Sequence, residues 1–98
     1  MASLSHNPAA RKEYGASILW YRSRSSDAAF RFVTEVEAEL IASHPDRYPR
    51  ITARSRFREV ILQRFPFSII YEVVLTGEIR IIAVAHSSRK RGYWNRRK

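Results

Sequence analysis

The chain has no cysteine. That excludes a disulfide framework and any thiolate nucleophile or thiolate metal ligand. Its three histidines, His6, His44 and His86, lie far apart and share no ligand spacing, so no metal site is expected. Its three glycines, Gly15, Gly77 and Gly92, are isolated, which excludes a glycine-rich phosphate loop. No apolar run is long enough to span a bilayer, and none precedes a cleavage site. Repeats and low-complexity tracts are missing as well. A cytoplasmic protein without a cofactor is the simplest expectation. What remains is 98 residues, enough for one domain with a modest core.

Acidic residues are also scarce, nine against eighteen Lys and Arg. The imbalance is uneven. Residues 1–50 carry seven cations and six acids, whereas residues 51–98 carry eleven and three. A net charge of +8 in one half implies a polyanionic partner: nucleic acid, an acidic protein or a membrane surface. The last ten residues hold six cations and no acid, with Tyr93 and Trp94 between them. Such a mixture can hold phosphates and stack bases. Pinning of Trp94 onto the fold is the preferred reading, because large aromatics more often serve packing. Only the stretch after Trp94 is expected to be loose.

The chain is organised around Arg56 to His86, which reads as three successive strands. Phe65-Pro66-Phe67 breaks the first run, since proline has no N–H to give a ladder. Ile69 to Leu75 is rich in β-branched and aromatic residues, Thr76-Gly77 signals a turn, and Ile79 to Ala85 is a second apolar run. Connections this short predict antiparallel neighbours. Ile81, Ile82, Ala83 and Val84 are apolar on both faces, which predicts a strand covered on both sides.

The first half supplies a cover. Asn7-Pro8 is a helix start, with a capping side chain followed by proline at the first helical position. Ala10, Tyr14, Ile18 and Tyr21 then mark one helix face. Trp20 lies off that stripe, at an edge or toward a partner. Ser23 to Ser26 is the break, and Ser26-Asp27 opens a second helix. Its inward stripe is Ala29, Val33, Val36 and Leu40, widened by Phe32 and Ile41. Glu35, Glu37 and Glu39 belong to the solvated side. His44-Pro45 ends the helix, and Pro45 to Arg54 is the connection to the sheet. The expected fold is α+β: a two-helix hairpin on a small antiparallel sheet.

Four stretches carry a family resemblance: His6-Asn-Pro-Ala-Ala-Arg-Lys-Glu13 with Trp20-Tyr21, Pro45-Asp-Arg-Tyr-Pro49, Arg64-Phe-Pro-Phe-Ser-Ile-Ile-Tyr71, and Val84-Ala-His86-x-x-Arg89 with Trp94. In this order and spacing the chain resembles the RelE/ParE superfamily of bacterial type II toxins, nearer the ParE branch. The resemblance implies a β-α-α-β-β-β order and makes Met1 to His6 a first strand. It also implies a cognate antitoxin that wraps the toxin, a hetero-oligomer with it, and contact with operator DNA only through it.

The resemblance leaves the target open between two mechanisms. ParE-like members are described as poisoning DNA gyrase and need no catalytic site. RelE-like members cleave messenger RNA on the ribosome, using Lys and Arg on the sheet and an acid–base group near the C-terminus. One of their arginines follows the aromatic residue that opens the middle strand; here that position is Ser68, after Phe67. A nuclease site would therefore be built from His86, Arg89, Arg64 and Arg58, with Glu59 as a second base. The plainer reading of His86 is a backbone hydrogen bond at a strand end. Contact with antitoxin or target is expected from Trp94, Tyr93, Arg91, Arg96, Arg97 and Trp20. Gyrase poisoning is the favoured expectation, RNA cleavage the alternative. An inactive homologue that only binds antitoxin or DNA is the third.

Overall fold

The structure, a computed structural model, describes residues 4–38, 40, 48–74 and 76–97. The elements run β1 (Leu4–His6), α1 (Pro8–Arg24), α2 (Ser26–Glu37), β2 (Arg58–Ile61), β3 (Phe67–Val73) and β4 (Ile79–His86). The expected order β-α-α-β-β-β is the observed one. The expected ends at Met1 and at His44-Pro45 lie outside the described residues.

The sheet order is β1-β4-β3-β2. The β2–β3 and β3–β4 pairs are antiparallel, as the short turns require. The β1–β4 pair is parallel, Leu4 beside Ile79 and His6 beside Ile81, so the sheet is mixed rather than purely antiparallel. Strand β1 could not have revealed this: its connection to β4 passes through the whole chain, and three residues carry no directional pattern.

The helix hairpin follows from its caps. The Asn7 side chain accepts hydrogen bonds from the N–H groups of Ala9 (2.8 Å) and Ala10 (3.4 Å), with Pro8 just inside the helix. A single extended residue, Ser25, ends α1 and caps α2, its Oγ accepting from Ala28 N–H at 3.2 Å. Ala29, Phe32, Val36 and Leu40 are buried; Phe32, expected at the margin, is central. Its ring meets those of Tyr21, Phe65 and Phe67 at 5.1, 5.2 and 5.3 Å. Both phenylalanines reach this core because Pro66 sits in a three-residue turn closed by a 2.8 Å bond from Phe67 N–H to the Phe65 carbonyl. Gly77, with φ of 84°, supplies the left-handed residue in the turn before β4.

Strand β4 is covered on both faces, as its composition predicts. Ile79, Ile81 and Val84 belong to the core under the helices. Ile82, Ala83 and Ala85 belong to a second core with Phe57, Ile70 and Trp94, flanked by Ile51 and Tyr93. The alternation slips because Ile70 pairs with Ala83 but Tyr71 pairs with Ile81. Ile82 is the extra residue of a β-bulge, so Ile82 and Ala83 both serve the second core. The C-terminal segment therefore closes the far side of the sheet. Residues 95–97 are not loose: they are held by turns, with Asn95 N–H on the Gly92 carbonyl (3.0 Å) and Arg97 N–H on the Trp94 carbonyl (2.9 Å).

Candidate functional site

The site begins with a missing stretch of sheet. Strand β1 stops at His6, opposite Ile81, while β4 continues to His86. Beyond Ile81 no strand among the described residues lies beside the β4 edge, and its polar backbone groups need other partners. Glu13 of α1 supplies one. Its Oε1 accepts the Val84 N–H at 3.0 Å. Arg97 supplies another, donating from Nη1 to the Ile82 carbonyl at 3.1 Å. The two then bind each other twice, at 2.8 and 3.0 Å, and the Tyr93 hydroxyl donates to Glu13 at 2.8 Å. One carboxylate thus joins α1, β4 and the C-terminal segment.

The charges respond to this arrangement. Burial pushes the Glu13 carboxyl upward, but the bonds from Arg97, Tyr93 and Val84 outweigh it and hold the group below its ordinary value. Burial and the bond to Glu13 push the Tyr93 phenol up to about 12. Arg97 is held more firmly protonated by the same carboxylate.

Past this clasp lies a groove of about 450 Å³ between α1 and the ends of β3 and β4. Ala16, Tyr21, Pro66, Phe67 and Val84 give it an apolar floor; Ser17, His86 and Arg89 stand on its rim. Trp20 lines one wall and is 54% exposed, with the Arg24 guanidinium 4.6 Å from its ring centre. The position off the α1 stripe that the spacing gave to Trp20 is the position it holds.

Of the four residues expected for RNA cleavage, two come together and two lie elsewhere. His86 and Arg89 share this groove. Arg58 donates to the Tyr48 carbonyl. Arg64 lines a different groove, with Phe30, Arg31 and Glu35 of α2. His86 caps its own turn: Nδ1 accepts the Ser88 N–H at 3.0 Å and lies 2.8 Å from Ser88 Oγ. Its ring stands edge-on to Phe67 at 5.0 Å. Glu59, the second base considered, is tied to Arg91 by two bonds of 2.9 and 2.6 Å. Those bonds, against the opposing effect of burial, hold its carboxyl below the ordinary value, so it is a poor proton acceptor near neutral pH. Among the described residues no group of three or more His, Asp or Glu could hold a metal ion.

The residues expected to meet a partner divide. Trp94 is 3% exposed and belongs to the second core. Tyr93 is half-buried under two guanidinium groups, Arg89 at 4.0 Å and Arg97 at 5.0 Å. Arg91 and Arg97 are in ion pairs. Arg96 and Trp20 are exposed. The residue that sequence reasoning passed over is Glu13. A helical signal was present, since Glu13, Ser17 and Trp20 follow at four and three on one flank of α1. Its partners lie 71 to 84 residues away, beyond the reach of any local pattern.

The family described as "ParE toxin of type II toxin-antitoxin system, parDE" matches residues 4–91. No curated protein matches the chain. Among solved structures, one titled "Chromosomal ParDE TA system from P. aeruginosa" is similar at 21% identity. The alignment covers 88% of this chain and 96% of that one, with a TM-score of 0.62. At that identity the likeness is one of fold.

Proposed function

Because the chain belongs to the ParE toxin family of type II toxin–antitoxin systems, we propose that it blocks growth by binding DNA gyrase, without chemistry of its own, until a cognate antitoxin occupies it. The observation that carries the binding mechanism is the dispersal of the polar groups a nuclease would need. Attack by a 2′-hydroxyl needs a base, a cation at the phosphate and an acid on the leaving oxygen within a few ångströms of one another. Here Arg58, Arg64 and the His86–Arg89 pair serve three separate places. The position at which the resemblance gives RelE-like nucleases an arginine holds Ser68, on the face closed by Trp94 and Phe57.

The antitoxin is assigned to the groove beside Trp20. Its floor is apolar, its rim carries Arg89, and Arg24 lies against the Trp20 ring that forms one wall, which suits an acidic segment with an apolar anchor. Membership of the family supports such a partner. None of the described helices is long and apolar enough to cross a membrane.

Two measurements test the reading. In cells lacking antitoxin, brief induction with parallel labelling of DNA and protein is expected to stop DNA synthesis first and to raise the DNA-damage response. Protein synthesis stopping first would overturn the gyrase assignment. Separately, His86→Ala is expected to retain toxicity, because the imidazole caps its turn and packs on Phe67 rather than serving a catalytic set. A loss of toxicity of about 100-fold or more with an unchanged melting temperature would identify a general acid or base at His86 and restore the nuclease alternative.

A further inference from the structure

The sheet face away from the helices presents a surface the groove does not explain. Two segments cover it: residues 50–57, anchored by Ile51 and Phe57, and residues 89–97, anchored by Tyr93 and Trp94. Their outward residues include Arg50, Arg54, Arg56, Lys90 and Arg96, all exposed. The two carboxylates beneath are spent. Glu59 is held by Arg91, and Glu72 by Arg56 at 2.7 Å; their side chains are only 12% and 9% exposed. Arg54, Lys90 and Arg96 have no ion pair among the described residues.

The composition of this face identifies its partner class. A protein partner needs aromatic or aliphatic anchors at the centre of a contact, where charge is depleted. Here the apolar groups are already buried under the chain's own tail, and Ile61, at the margin, is the one large apolar side chain exposed on this side among the described residues. A single-stranded nucleic acid needs a bare ring to stack on. Trp94 is buried, and Tyr93 lies beneath two guanidinium groups. What is offered is a field of cations, fifteen of the chain's eighteen being arginine, the side chain whose planar fork suits phosphate.

We infer that the sheet face covered by residues 50–57 and 89–97 binds the phosphodiester backbone of duplex nucleic acid directly, without base readout and without antitoxin. The contact centres on Arg54, Lys90 and Arg96, meets the groove beside Trp20 only at Arg89, and does not depend on which enzyme the toxin inhibits. For a toxin acting on a DNA-bound enzyme, it would add a second point of attachment.

The test is fluorescence anisotropy of the full chain with a labelled duplex DNA of about 20 base pairs, between about 50 and 200 mM NaCl. Binding is expected to weaken with salt, with a log–log slope of about −4 or steeper. The triple variant Arg54→Ala, Lys90→Ala, Arg96→Ala is expected to flatten the slope by about 3, near 0.9 per lost phosphate contact. A matched triple variant on α1, Arg11→Ala, Lys12→Ala, Arg22→Ala, removes the same charge from the opposite side and is expected to leave the slope unchanged. All six side chains are exposed, so both triples keep the wild-type melting temperature, which serves as the folding control. Equal effects of the two triples would mean that net charge alone attracts DNA and would overturn the assignment. So would polyglutamate competing as well as DNA, a preference for single strands, or no binding at the lowest salt. Duplex RNA competing equally supports the backbone as the ligand, with either duplex as its source.

Discussion

Replacing Glu13 by alanine is expected to lower the melting temperature by about 12–24 °C. The carboxylate accepts from Val84, Tyr93 and Arg97, and its side chain and that of Arg97 are only 16% and 19% exposed. Removing it leaves a guanidinium, a phenol and a strand N–H without their acceptor. Breaking a buried pair from one side costs about 3–5 kcal/mol, and partial exposure puts this pair at the low end. About 3 kcal/mol corresponds to the stated shift for a domain of roughly this size. A double-mutant cycle with Arg97→Ala separates the pair from its surroundings, with an expected coupling of about 1–3 kcal/mol. The same carboxylate makes stability depend on pH. Its folded value is depressed, so its contribution is complete above the ordinary carboxyl value of 4.5 and is lost as pH falls through the folded one. Wild-type stability is therefore expected to drop below about pH 4.5 more steeply than that of Glu13→Gln. Parallel acid profiles for the two proteins would remove Glu13 from the centre of this clasp.

The legible parts of the molecule are those set by local chemistry. Asn7-Pro8 specified a helix start through one side-chain oxygen and one missing N–H. The stripes through Tyr14 and Ile18, and through Ala29 and Val36, showed which helix faces turn inward. The short turns at Pro66 and Gly77 left the three later strands no choice but antiparallel pairing. The run Ile81 to Val84 showed that β4 needed cover on both faces, and Trp94 was the side chain available to provide it. What stayed hidden depends on contacts distant in sequence. The parallel partner of β1 is one case, since Leu4 meets Ile79. The fate of the C-terminal cations is another. Arg91, Arg96 and Arg97 look alike in sequence, yet one neutralises Glu59, one is exposed and one is half-buried against Glu13. Position in a charge run does not say which cations fold and which bind.

That difference changes what truncation means. Deleting Arg89 to Lys98 is expected to abolish toxicity, but with the fold intact only if the segment were a loose appendage. The structure makes residues 89–97 part of the core: Trp94 packs with Phe57, Ile70 and Ala85, and Arg97 holds Glu13. The truncated chain is therefore expected to lose cooperative thermal unfolding altogether. The single substitution that isolates the packing is Trp94→Ala. Removing a buried aromatic of this size costs about 3–5 kcal/mol, a large share of the stability of a small domain. Trp94→Phe is the informative companion. The indole Nε1 is buried without a hydrogen-bond partner among the described residues, so phenylalanine gives up some volume but also removes an unsatisfied donor. The two terms are each about 1 kcal/mol, and the variant is expected to melt within a few degrees of wild type. With stability kept, its toxicity should be kept too, because the ring contacts its own sheet rather than a partner. A stable but harmless Trp94→Phe protein would mean that the indole itself is recognised, and that the tail opens to present it.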